Sequence, residues 1–143
     1  MEAEAREKGV RMRLELAAQL PTVAVDAIQV EQVVLNLLRN AMDAMDSTAA
    51  GQRVLTVRTR QAEADTVELR VHDTGPGLSA EAAGRIFDPF FTTKPHGMGM
   101  GLSISRSIVD AHRGHLWADS PGAGGALFHM TLPSNSEVSH VAH

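Results

Sequence analysis

The chain of 143 residues contains no cysteine, which excludes a disulfide framework and any thiolate metal site. It has no apolar run near the roughly 18 residues that a membrane-spanning helix needs. Its opening, Met1-Glu2-Ala3-Glu4-Ala5-Arg6-Glu7-Lys8, is no signal peptide. It also lacks a basic balance: the net charge is −4, so neither a nucleic-acid partner nor direct membrane contact is expected. Several catalytic signatures are missing. There is no Gly-x-Ser-x-Gly elbow and no obvious triad, and the seven histidines show no metal-ligand spacing. His112 and His115 flank a helix stop and read as surface residues, while His140 and His143 fall in the tail. There is no internal repeat. What remains is an ordinary globular composition, 43% apolar and 21% charged, at a length that suits one domain with a real core. A cytoplasmic chain, or the cytoplasmic part of a membrane-bound sensor, fits these absences.

Periodicity supplies the coarse organisation. Residues 10–16 alternate, with Val10, Met12, Leu14 and Leu16 on one face, as in a half-buried strand. Residues 21–25 read as its hairpin partner. Asp26 followed by Gln29 resembles a capping box and predicts a helix over 27–45. Strands are expected over 54–60 and 66–72, the second with Val67, Leu69 and Val71 inward. A short helix starts at Ser79, a long loop covers 87–100, and a helix runs over 101–112 with Gly114 as its stop. Strands over 115–119 and 126–132 surround a glycine-rich turn, and Trp117 reads as a core residue. Residues 1–9 read as the remnant of a linker, 10–133 as the domain, and 134–143 as a flexible tail. Strands joined by short turns, with helices grouped on one face, predict a two-layer α/β sandwich with a mixed, mostly antiparallel sheet.

Three clusters carry chemistry. On a helix, Asn36, Asn40 and Asp43 stand at i, i+4 and i+7, with Gln29, Gln32 and Arg39 near the same line. The opposite side holds Val30, Val33, Val34, Leu37, Leu38 and Met45. Neutral amides are weaker helix formers than Lys or Glu, so a merely solvated face has little use for them. An amide oxygen can ligate Mg²⁺, a hard cation that keeps waters and binds beside phosphate. The second cluster is Asp73-Thr74-Gly75-Pro76-Gly77, where a carboxylate ends a strand and can accept a hydrogen bond from an exocyclic amine. Its glycines let backbone approach a flat ring. The third, Gly97-Met98-Gly99-Met100-Gly101-Leu102, leads into a helix whose unpaired N–H groups suit phosphate. It has neither a Rossmann strand directly before it nor the Lys-Ser/Thr ending of a P-loop. Lys94 and His96 lie just upstream.

As a set, these residues resemble the catalytic ATP-binding domain of bacterial sensor histidine kinases, within the superfamily that includes gyrase B, Hsp90 and MutL. Residues 31–41 look like the N box and residues 73–77 the G1 box. Ile86-Phe87-Asp88-Pro89-Phe90-Phe91-Thr92-Thr93-Lys94 resembles the F box, residues 97–102 the G2 box, and Gly124-Gly125-Ala126-Leu127-Phe128 the last glycine box. The match covers about residues 9–133, and the runs 91–94 and 104–108 look closest to FixL-type and related PAS-linked kinases. The resemblance implies the Bergerat form of the sandwich, with ATP and Mg²⁺ as cofactors. It implies Asn40 as the Mg²⁺ ligand, Asn36 on the phosphates or metal shell, and Asp73 on adenine, with Gly77 and Leu102 beside the ring and Gly75 and Ile86 among the nucleotide-binding residues. Residues 78–99 would form an ATP lid anchored by Phe87 and Phe90, and Thr93, Lys94, His96, Gly97, Gly99 and Gly101 would line the phosphates.

In the ATP-hydrolysing relatives a glutamate stands where Asn36 stands and activates water; an amide cannot take that proton. The resemblance therefore implies a protein histidine kinase, in which positioning and charge stabilisation do most of the work. Three departures stand out. Asp43 occupies a position where many members carry a basic residue, leaving Arg39 or Lys94 to supply charge. Ala126 replaces a frequent threonine. The histidine-bearing dimerisation hairpin is missing upstream, so that hairpin and a downstream response regulator are the expected partners. Two readings compete: the kinase domain of a longer sensor, incomplete without its histidine-bearing domain, or a stand-alone nucleotide-binding regulatory module of the anti-sigma type.

Overall fold

A computed structural model describes residues 2–21, 23–63, 65–89, 101–121 and 124–134. In chain order these form α1 (Glu2–Glu7), β1 (Arg11–Glu15), α2 (Ala27–Ala44), β2 (Val54–Glu63), β3 (Thr66–His72), α3 (Ala80–Arg85), α4 (Gly101–Ala111), β4 (His115–Asp119) and β5 (Leu127–Pro133), with a short 3₁₀ turn at Ala50–Gln52. The strands make one sheet in the order β1-β2-β3-β5-β4. β1 runs parallel to β2, and the other pairs are antiparallel. The helices pack on one face, giving the expected two-layer α/β sandwich. Among the described residues no helix is long and apolar enough to cross a membrane.

Helix α2 organises the core. Asp26 caps it, its carboxylate accepting from Gln29 N–H at 3.1 Å. Val33, Leu37, Leu38, Ala41 and Met42 recur at helical spacing and are buried. They meet Leu55, Val57, Val71, Leu116, Phe128, Met130 and Leu132 from the inner face of the sheet. Each buried Val, Leu, Met or Phe among them contributes about 1.5–3 kcal/mol by leaving water. Because one side of α2 is committed to this core, its amides are left for the other side.

The structure revises several sequence expectations. Among the described residues, 21–25 form no strand; Val23 and Val25 pack on the core as connecting chain. β1 instead pairs with β2, and α2 supplies the crossover that a parallel pair requires. Of the expected buried side of residues 10–16, Val10 and Met12 face the core while Leu14 and Leu16 are exposed, and the alternation cannot say which neighbour supplies the hydrogen bonds. Trp117 is not core: Leu116 points inward, and Trp117 stacks on His129 on the outer face, centroids 4.7 Å apart. The left-handed residue ending α4 is Arg113, φ 63°, not Gly114. Gly114 serves a close approach, since a Cβ there would lie 2.1 Å from Thr131 O. His112 is half-buried rather than superficial: Nδ1 donates to Ile108 O at 2.8 Å and Nε2 accepts from Asp26 N–H at 3.1 Å.

The first residues, expected as linker, form α1, and Ala5 is buried in the core. Ser134, expected at the start of the tail, is buried and donates its N–H to Asp65 O; residues 135–143 lie outside the described part. The outer face of the sheet carries the row Glu15, Arg58, Arg70, His129, Trp117 across all five strands. Glu68 is buried beside it, receiving Arg60 Nε at 2.6 Å and Arg70 Nε at 3.1 Å. Burial works to raise its pKa, but the two guanidiniums outweigh burial and hold it below the ordinary value.

Candidate nucleotide site

Asp73 follows the last residue of β3, where the strand leaves the sheet. It is 1% exposed. Its backbone remains in the ladder, Asp73 N–H donating to Ala126 O at 3.1 Å. Its Oδ1 accepts from Gly75 N–H at 2.8 Å and from Ala126 N–H at 3.2 Å. Its Oδ2 is buried with no hydrogen-bond partner among the described residues. Desolvation raises the Asp73 pKa, and the two N–H donors and nearby His72 only partly oppose it. A buried acceptor held in a fixed direction with no internal donor is costly unless a ligand supplies one.

The glycines around Asp73 are explained by contact. A Cβ on Gly75 would lie 2.7 Å from Ala44 O at the end of α2. On Gly125, φ +76°, it would lie 1.8 Å from Asp73 O. Gly77 turns at φ +83°. Thr74 fastens the loop from beneath: Oγ1 donates to Gln52 O at 2.7 Å and accepts from Val54 N–H at 2.9 Å. The turn after β3 and the residues before β5 thus meet at one carboxylate, with the end of α2 packed against Gly75.

On α2, Asn36 and Asn40 are half-buried one turn apart on the side away from the core. Asn36 Nδ2 donates to Ser105 Oγ at 3.1 Å, so the amide is oriented by α4. Gly101 opens α4 directly against it: a Cβ there would fall 2.9 Å from Asn36 Oδ1. Arg39 is exposed and pairs with Glu4 at 3.4 Å. Asp43 receives Lys8 Nζ at 2.9 Å, and this hydrogen bond and charge hold the Lys8 pKa above its ordinary value despite some desolvation. A groove of about 270 Å³ between α2 and α4 is lined by residues that include Asn36, Arg39, Gly101 and Ser105. Asp73 does not line it; the groove lies along the middle of α2, and Asp73 lies beyond the turn that packs on the end of that helix.

Leu102 is half-buried on α4 and packs against the core. Ile86 and Phe87 are buried. The Phe87 ring meets Phe128 edge-on at 6.1 Å, and the Arg106 guanidinium lies 5.1 Å from its centroid. These two residues hold the beginning of the 78–99 segment on the domain. Phe90, Thr93, Lys94, His96, Gly97 and Gly99 lie outside the described residues. Ser105, Thr74 and Lys8 were not picked out as site residues from the sequence. Ser105 left one signal, a buried polar residue at a core-facing position of α4.

No group of three or more His, Cys, Asp or Glu among the described residues could hold a metal. The available donors are amide oxygens, hard ligands suited to Mg²⁺ that arrives with phosphates rather than sitting in a protein cage.

Comparison with known proteins agrees with this fold. The family of histidine kinase-, DNA gyrase B- and HSP90-like ATPases matches residues 25–136. The chain belongs to this family. It is 45% identical to the sensor protein FixL of Bradyrhizobium diazoefficiens over 94% of its length, spanning 26% of that relative. It resembles the catalytic domain of the histidine kinase ThkA in a nucleotide-free form, at TM-score 0.80 and 30% identity, covering 93% of this chain and 86% of that one. ThkA in complex with the response regulator TrrA matches at TM-score 0.77 and 28% identity, covering 95% and 37%. The chain is therefore a catalytic ATP-binding domain of the histidine-kinase kind, and it spans about a quarter of the length of FixL.

Proposed function

We propose that this chain holds Mg-ATP and offers the γ-phosphate to a histidine on a separate dimerisation hairpin, from which the phosphoryl group passes to a response regulator. The observation that carries the reading is Asp73: one carboxylate oxygen pinned by two backbone N–H groups, the other buried and unpartnered. That oxygen is suited to accept the exocyclic amine of adenine, with Gly75 and Gly77 admitting the ring and Leu102 and Ile86 at its side. Asn40 would ligate Mg²⁺, which supplies charge neutralisation on the phosphates, and Asn36 would stand on the phosphates or the metal shell. Gly101, together with Gly97, Gly99, Thr93, Lys94 and His96, would face the phosphate chain, with Arg39 or Lys94 adding positive charge.

In the transfer, an imidazole nitrogen of the hairpin forms a bond to the γ-phosphorus as the bond to the β–γ bridging oxygen breaks, leaving ADP. Asn36 has no basic atom with which to activate water, so the site favours holding ATP over hydrolysing it. Its engagement with Ser105 supports an orienting role. The complex of the related ThkA with TrrA supports the response-regulator part.

Radiolabelled ATP tests the reading. Alone, the chain should bind ATP, leave its own histidines unlabelled and turn over very slowly. With its cognate dimerisation hairpin added in trans, the hairpin histidine should label, limited by association without a covalent tether. Strong self-labelling, or turnover like a dedicated ATPase, would overturn the reading in favour of a hydrolase or an independent module.

A further inference from the structure

Ser120, one residue beyond β4, lies outside every residue assigned above to the nucleotide, yet its hydroxyl joins the two turns that build the Asp73 corner. Its Oγ accepts from Leu78 N–H at 3.1 Å and donates to Gly125 O at 3.1 Å. Leu78 follows directly on the 73–77 turn. Gly125 is the residue whose backbone presses on Asp73, and its neighbour Ala126 holds Asp73 Oδ1. The fit is close: a Cβ on Gly77 would come within 2.6 Å of Ser120 Oγ. Gly77 and Gly125 both adopt positive φ, 83° and 76°. The hydroxyl thus closes a ring that runs from Asp73 through the 75–77 turn to Leu78, across Ser120 to Gly125, and back to Asp73 through Ala126.

We propose that Ser120 is a positioning residue for base recognition, setting the spacing between the 75–77 turn and the 124–126 turn and hence the slot onto which Asp73 Oδ2 opens. The inference rests on the adenine reading of Asp73. A hydroxyl suits this place because it donates to one turn while accepting from the other. A methyl group can do neither, and it would leave the Leu78 N–H and the Gly125 carbonyl to find other partners. Asn36 and Asn40 sit on α2 and share none of these bonds, so the effect falls on the base and not on phosphate or metal.

Titration calorimetry of the 143-residue chain with ATP, GTP and adenosine tests this on wild type, Ser120→Ala and Ser120→Thr. Wild-type preference for ATP over GTP tests the Asp73 reading itself, and a change of that preference in the variants tests Ser120. Ser120→Ala should weaken ATP and adenosine by the same factor, roughly three- to thirtyfold, the scale of losing one or two hydrogen bonds. GTP binding and the Mg²⁺ dependence should stay as they are, so the ATP/GTP ratio falls by that factor. Ser120→Thr, which keeps the hydroxyl, should restore the ratio. A purely structural role would lower all three ligands together through the folded fraction. An unchanged ratio in Ser120→Ala beside a selective wild type overturns the proposal, and a wild type without preference overturns it together with the Asp73 reading. Should Ser120→Ala not fold, Ser120→Cys, with a weak donor of similar size, gives the same readout.

Discussion

Replacing Asp73 by Asn separates what the carboxylate does for the nucleotide from what it does to the fold. For the nucleotide, the amide oxygen can stay at the Oδ1 place and keep the Gly75 and Ala126 donors, which puts an NH₂ group where Oδ2 now stands. An adenine amine would then face a donor. Losing the bond and leaving a buried donor unmet costs about 1–3 kcal/mol, a roughly 5- to 150-fold drop in affinity for ATP and adenosine alike. For the fold, desolvation raises the Asp73 pKa above its ordinary 3.8. A carboxyl raised in the folded state binds its proton more tightly folded than unfolded. Its stabilising contribution is therefore complete below about pH 3.8 and is lost as pH rises through the folded-state pKa. Asn removes that dependence. Urea unfolding of both proteins from pH 4 to 7 without ligand isolates the Asp73 contribution and its coupling to His72, because titrating groups that do not act on Asp73 cancel in the difference. Wild type minus Asn variant should become less favourable to wild type as pH rises. Nucleotide affinity of wild type should move the other way, falling on acidification as Oδ2 is protonated. A wild type that loses stability relative to the variant on acidification would refute the desolvation argument, and equal ATP affinity in both would refute the adenine assignment.

Asn40→Ala should remove the Mg²⁺-dependent part of ATP affinity while leaving adenosine binding intact, measured by calorimetry with and without the metal. Gly125→Ala should destabilise by about 2–5 kcal/mol in urea, combining a left-handed residue with a Cβ driven into the Asp73 carbonyl. Gly101→Ala should leave the melting temperature unchanged or raised, since alanine is the better helix former, yet weaken ATP because its Cβ displaces the Asn36 amide. Glu68→Gln should cost about 1–3 kcal/mol at neutral pH by releasing Arg60 and Arg70. Because the Glu68 pKa is lowered by folding, that difference should be full above the ordinary 4.5 and shrink as pH falls through the folded-state value.

The legible parts of the fold were those written in local pattern. β3 falls on the expected residues, and α2 and β4 start where expected, because a cap or an alternating run marks each one. The Asp73 turn stood out only beside the amide-bearing helix and the second glycine cluster, because an aspartate before glycines is by itself most often an ordinary turn. What failed was pairing. Nothing in residues 10–16 says that β1 lies parallel to β2, since that partner is chosen by the crossover helix and by long-range packing. Trp117 was misplaced because bulk suggests a core position, whereas a five-residue strand beginning at His115 puts Leu116 inward and Trp117 outward. Ser120 stayed hidden because a serine after a strand is ordinary turn chemistry until the two partners of its hydroxyl are seen.

The same logic explains why glycines, more than charges, define this site. Asp73 is almost fully buried, and burying a carboxylate works against its ionisation. The protein offsets that with two backbone donors, and both come from residues that must approach closely: Gly75, pressed on Ala44, and Ala126, whose neighbour Gly125 is pressed on Asp73. A side chain at either glycine would move a donor, leave Oδ1 unsatisfied and push the carboxyl towards its neutral form, which cannot accept from an amine through the protonated oxygen's hydrogen. The close packing therefore maintains the charge state that recognition needs. It also leaves one oxygen over, and because the fold itself satisfies Oδ1 but not Oδ2, the direction from which a donor must arrive is fixed before any ligand binds.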